Sequence, residues 1–191
     1  MMNKKLAMTF SEVLITLTII GVVATLTIPP LKKYTQKNEF VTKLKKAYVT
    51  LEQNLDFMTE EKGPISKWNF KNLTIDDFAE YLLVAYKCEG DTKDNCFAKS
   101  YGTLSGGTGN APSSTPILLL DGTSMALENC TENACDIVVD VNALEKPNIY
   151  GVDYFTLQID KNKEKIIPKE GNTDDCLVED IIKDGWQINY W

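Results

Sequence analysis

The sequence predicts an α+β protein: a long N-terminal helix whose first half is apolar enough to span a membrane, and a globular head built on an antiparallel sheet with a short second helix. Three observations predict it. Between Lys5 and Lys32 the chain carries 26 residues and a single charge, Glu12. Beyond Pro30, apolar residues continue at steps of three and four as far as Met58. From Ile117 onward, short apolar runs alternate with turn residues, the pattern of consecutive strands joined by short links.

The first element rests on length and polarity. Val13 to Leu31 is 19 uncharged residues, which at ~1.5 Å per helical residue covers roughly 28 Å, close to the hydrocarbon thickness of a bilayer. Lys4 and Lys5 in front of it would stay on the cytoplasmic side, so the remainder is expected to be exported. A plain export signal places its charges before the apolar core and ends at a small-residue cleavage site, for which Val22-Val23-Ala24 is only a weak match. Glu12 does not fit that plan. A carboxylate at the edge of a spanning segment costs a few kcal/mol on insertion scales, so it is expected to face a partner charge or polar group.

The stretch Ala7-Met8-Thr9-Phe10-Ser11-Glu12, followed by an unbroken apolar helix, resembles the prepilin signal of type IV pilins and type II secretion pseudopilins. The resemblance implies a basic leader, residues 1–7, cut by a prepilin peptidase between Ala7 and Met8. It implies methylation of the new Met8 amine and places Glu12 fifth in the mature chain. Gly21 and Pro29 fall where many members of the family have a helix-weakening glycine and a kinking proline. Two positions depart from the commonest pattern: Ala7 replaces glycine and Met8 replaces phenylalanine, both within the family's tolerance. The implied protein is a single-pass inner-membrane subunit with a stalk helix over 8–61, membrane-spanning at about 12–31, and a head over 62–191. Its partners would be the peptidase, the membrane and identical or related subunits, whose Met8 amine would neutralise Glu12 in a periplasmic or extracellular filament. The rival expectation is a membrane-tethered binding domain or enzyme that uses the helix only as an anchor.

In the second half of the helix, Phe40, Leu44, Ala47, Leu51, Leu55 and Met58 form an apolar stripe, with Val41 and Tyr48 beside it. In the family that stripe is covered by the sheet of the head. Gly63-Pro64 then stops the helix. Thr74 reads as an N-cap with Asp77 three residues on, which predicts a second helix over about 75–86. Ser105 to Pro116 is rich in Gly, Pro and Ser and reads as a surface loop. The runs 117–120, 124–127, 137–141, 154–159 and 165–167 read as strands, with Asp121-Gly122 as a hairpin turn. Asp184-Gly185 reads as the turn of a closing hairpin, with Trp186, Tyr190 and Trp191 sealing the core rather than binding carbohydrate.

Composition narrows the chemistry. The chain has 191 residues and no histidine, and all 20 of its basic residues are lysine. Ser-His and Cys-His catalytic arrangements, the usual zinc sites and arginine clamps are therefore absent, and no enzyme activity is expected. Residues 1–50 hold eight Lys against two acids, whereas 51–191 hold twelve Lys against twenty-five acids. An acidic head without a basic patch is not expected to bind nucleic acid, and its acids read as a solvated surface. No cofactor is expected. Some major pseudopilins bind calcium in a loop of the head, and Asp136, Asp140, Asn142, Asp153 and Asp160 offer oxygen in the corresponding part, although not in an EF-hand arrangement. Cys88 with Cys96 and Cys130 with Cys135 close short polar loops, so nearest-neighbour disulfides are geometrically cheap after export and leave Cys176 over. Other pairings of five cysteines remain open at the level of sequence.

Overall fold

The structure, a computed structural model, describes residues 9–89 and 95–191. The leader 1–7 and Met8 lie outside the described residues, as does the middle of the 88–96 loop. The chain divides into two units, residues 1–37 and 38–191, and helix α1 (Phe10–Lys62) contributes to both.

In the first unit, every residue from Thr9 to Thr35 is exposed except the half-buried Ala24. Four threonines of its apolar half nevertheless bond within the helix itself. The hydroxyls of Thr16, Thr18, Thr25 and Thr27 donate to the carbonyls of Val13, Leu14, Val22 and Val23 at 2.8–2.9 Å. Such back-bonding leaves no side-chain donor among these threonines that water would have to serve, which is what an apolar solvent demands.

The second unit is built on a six-stranded antiparallel sheet in the order β1-β4-β5-β6-β7-β8. Its strands are β1 (Val84–Lys87), β4 (Ile117–Leu119), β5 (Ser124–Glu128), β6 (Ala134–Asp140), β7 (Tyr154–Asp160) and β8 (Lys165–Pro168), while β2 (Ser100–Gly102) and β3 (Thr108–Asn110) form a separate hairpin. The longest pairing, β6–β7, is in register over seven residues, from Ala134↔Asp160 to Asp140↔Tyr154. Side chains alternate between the two faces. Met125, Leu127, Ile137, Val139, Phe155, Leu157 and Ile159 join Phe40, Leu44, Leu51, Leu55 and Met58 of α1 in the main core. The apolar stripe of α1 is therefore the face that the sheet covers, and the Tyr48 hydroxyl ties it to β8 by donating to the Ile166 carbonyl at 3.2 Å.

The opposite face is not bare. Ala126, Val138 and Tyr154 pack with Phe97, Ala98, Tyr101 and the Cys88 and Cys96 half-cystines in a second, smaller core. Cys88 is paired with Cys96 and Cys130 with Cys135, and Cys176 is buried with a free thiol.

Three elements differ from the sequence expectation. The second helix, α2, ends at Ala79 rather than near Tyr86, although the Asp77 carboxylate accepts from the Thr74 amide at 3.0 Å as a capping residue should. Residues 84–87 instead form the edge strand β1, because Val84, Tyr86 and Lys87 find backbone partners on β4 that a continued helix would forgo. The loop 105–116 contains β3, which pairs with Ser100–Gly102. Its Gly109 lies beneath the Tyr150 ring, where a Cβ would come within 2.2 Å of Cε2. The glycine that reads as a breaker thus makes room for an aromatic ring.

The closing hairpin is replaced by helix α3 (Val178–Lys183). Glu179 and Asp180 sit at its first turn and Lys183 at its last, the charge order that favours a helix, and Gly185 (φ +71°) ends it while the Trp186 amide reaches back to the Ile181 carbonyl at 2.7 Å. The aromatic tail does pack on the core, Trp186 against Tyr48 and Trp191 against Phe40 with ring centroids 6.1 and 6.4 Å apart.

Candidate functional site

The one charge in the apolar half of α1 is held by a local arrangement. The Glu12 carboxylate accepts from the Thr9 amide at 2.8 Å and from the Thr9 hydroxyl at 2.9 Å, and the Glu12 amide reaches the Thr9 hydroxyl oxygen at 3.3 Å. This is a capping box, in which residues three apart satisfy donors that the first turn of a helix otherwise leaves open. The sequence reading of Glu12 missed it, although the signal was present: Thr9-x-x-Glu12 immediately before an apolar run. Glu12 thus has one role within its own chain, as the cap of its first turn.

Among the described residues nothing stands within 4 Å of where a Cβ on Gly21 would lie, so no contact among them demands a glycine there. The helix continues through Pro29 and Pro30. Neither proline can donate to the carbonyl four residues back, at Thr25 and Leu26, so this part of α1 is held by fewer backbone bonds than its flanks. Ala7 and Met8 lie outside the described residues. Glu12, Gly21 and Pro29 share one exposed helix, whereas the cysteine pairs lie on the head; the structure does not gather them into one site.

In the head, the acids expected to face solvent include three that are buried. Asp136, Asp140 and Asp153 are at most 3% exposed. They read as surface because alternation along β6 predicts which face a residue takes, but not that a second core covers the outer face. Asp136 accepts from Lys169 Nζ at 2.7 Å, Gln158 at 2.9 Å and Asn129 at 3.1 Å. Asp140 accepts from the Tyr101 hydroxyl and from the Asn142 amide, while Asp153 accepts from the Asn148 and Ile149 amides, both at 2.7 Å. Asp160 accepts from the amides of Asn162 and Lys163. The Asn142 side-chain amide donates to the carbonyls of Glu145 and Lys146, and its own carbonyl oxygen has no partner among the described residues. The candidate calcium oxygens are thus engaged largely by protein donors. Among the described residues, no group of three or more His, Cys, Asp or Glu is placed to hold a metal.

Burial pushes the Asp153 carboxyl up to about 6, and burial together with the charge of Asp153 pushes Asp140 well above the usual range. A carboxyl raised in the folded state holds a proton that the unfolded chain has already released. Its stabilising contribution is complete below about pH 4 and is lost as pH rises through the folded value. At Asp77 and Asp121 burial alone would raise the carboxyls, but hydrogen bonds and charge from Lys62 with Thr74, and from Lys46 with Thr123, together outweigh it and lower them, so their contribution fails on the acid side. The head is therefore expected to be most stable near pH 4–5 and to lose about 2 kcal/mol from Asp153 alone between there and pH 7.5. Urea unfolding of the full chain in detergent across pH 4–8 measures this. Asp153→Asn should flatten the neutral limb of the profile.

The sequence matches no family model and no curated protein, and the structure matches no solved structure. Fold and site together define a class: an α+β head carried on a helix whose apolar half is exposed, and that helix is long and apolar enough to cross a membrane.

Proposed function

We propose that the chain is a non-enzymatic structural subunit of a type IV pilus or a type II secretion-like pseudopilus. It is held in the inner membrane by the first half of α1, cut by a prepilin peptidase after Ala7, methylated on Met8 and assembled into a helical filament with its head outside. The observation that carries this reading is the exposed apolar half of α1, residues 10–31, with Glu12 as its only charge. The self-satisfied threonines support residence in lipid. The few backbone bonds around Pro29 support a helix that can adjust when lipid is exchanged for neighbouring helices.

The physical logic is one of exchange. An apolar helix has no reason to leave lipid unless a bundle of like helices replaces it, and the bundle must neutralise Glu12. The methylated Met8 amine of an adjoining subunit would do so, each subunit bringing one charge of either sign. The intact mass of the exported protein tests the processing step. The expected form begins at Met8 and carries one added methyl group; a form that begins at Thr25 or retains Met1 excludes the reading.

A further inference from the structure

The head carries two Asn-x-Thr triplets, Asn72-Leu73-Thr74 and Asn129-Cys130-Thr131. Asn-x-Ser/Thr without a central proline is the acceptor sequence for asparagine-linked sugars in exported proteins, and it serves where it lies on the surface. So short a pattern also arises by accident, and tertiary structure decides which copy can be used.

The two copies differ in every respect that an incoming transferase would meet. Asn72 and Thr74 are both exposed. Asn72 ends the single 3-10 turn Phe70–Asn72, and the chain leaves it extended, with φ −69° and ψ 130° at Leu73 and φ −124° and ψ 162° at Thr74. Its backbone N–H donates to the Asn69 carbonyl at 3.1 Å, while its side chain makes no hydrogen bond among the described residues. The Thr74 hydroxyl donates to the Asp77 carboxylate at 3.2 Å, an exposed contact of the helix cap that water or a transferase group can replace. Asn129 is held on all sides. Its φ is +48°, its side-chain amide donates to the buried Asp136 at 3.1 Å, and the next residue, Cys130, is bonded to Cys135. The Thr131 hydroxyl donates to the Ala134 carbonyl at 3.0 Å and accepts from the Ala134 amide at 3.1 Å. Turning Asn129 outward would take a donor from a buried carboxylate.

Resting on the exported head of the filament reading, we propose that Asn72 is an asparagine-linked glycosylation site and that Asn129 is not. Asn72 Nδ2 attacks the anomeric carbon of a lipid-linked sugar pyrophosphate. A carbon–nitrogen bond forms and the carbon–oxygen bond to the pyrophosphate breaks. The lipid pyrophosphate leaves with the electron pair, and one Nδ2 proton passes to a base of the transferase. A sugar chain is bulky and hydrated, so the surface around Asn72 faces solvent in the filament and not a neighbouring subunit.

The test is glycopeptide mapping by mass spectrometry of the full chain taken from the membranes and filaments of the cells that make it. The peptide containing Asn72 is expected to carry sugar and the peptide containing Asn129 to be unmodified. Asn72→Gln, at an exposed side chain without contacts to lose, should remove the added mass completely, whereas Asn129→Gln should leave it unchanged. Thr74→Ser keeps both the hydroxyl and the helix cap and should retain the sugar. Thr74→Asn keeps a capping side chain without the hydroxyl and should lose it. An unmodified Asn72 peptide, sugar on Asn129, or sugar retained in Thr74→Asn overturns the proposal. The two readings fail separately: an unmodified chain that begins at Met8 and enters filaments removes this site and leaves the filament function standing. A chain that carries sugar on Asn72 and retains residues 1–7 removes the filament function and leaves the site.

Discussion

On the proposed filament reading, Glu12→Ala is expected to leave the chain in the membrane and to remove it from filaments. The substitution takes a charge out of an apolar segment, so insertion becomes easier by up to ~3 kcal/mol on the translocon scale. Loss of the capping box costs the first turn about 1 kcal/mol in the opposite sense. Assembly fails for a different reason. The Met8 amine of the adjoining subunit would be buried without its counter-charge, a penalty of roughly 3–5 kcal/mol for one-sided removal of a buried pair. Glu12→Gln separates the two roles, because glutamine keeps the carbonyl that caps Thr9 and lacks the charge. Both variants should match wild type in membranes and be depleted from sheared filaments when expressed beside wild-type subunits. If the glutamine variant enters filaments as readily as wild type, Glu12 serves its own helix and nothing else.

Leu51→Ala is expected to cost the head 2–5 kcal/mol, the range for truncating a fully buried leucine whose site collapses only in part. Leu51 is 0% exposed in the centre of the α1 stripe and belongs to the same core as Ile137, Val139 and Phe155. Against a typical domain stability of 5–15 kcal/mol, that loss brings the head close to unfolding. Urea unfolding of the full chain, followed by tryptophan fluorescence, gives the difference. Val49→Ala, two residues away and 41% exposed, should stay within about 0.5 kcal/mol of wild type. Equal effects at the two positions would mean that the stripe is not the packed face.

The sequence by itself determined the elements whose signal is periodic and long. The apolar run to Leu31 and the stripe from Phe40 to Met58 sum a preference over many residues, so no local accident reverses them. The five runs from Ile117 to Ile167 gave the central strands, because alternation over a half-buried strand is enforced by the sheet itself. Where signals are short, tertiary structure decided. Val84–Lys87 could finish a helix or pair with β4, and pairing prevailed because it satisfies backbone groups at the edge of an existing sheet. Val178–Lys183 follows a helical charge order over less than two turns, too short for periodicity to outweigh a turn signal at Asp184-Gly185. The buried acids were least legible. Nothing local to Asp136, Asp140 or Asp153 distinguishes them from surface carboxylates. Asp136 and Asp140 are buried because Lys169 and Tyr101, brought in from elsewhere in the chain, donate to them, and Asp153 because its own connection folds the Asn148 and Ile149 amides onto it; such donors make a carboxylate tolerable away from water.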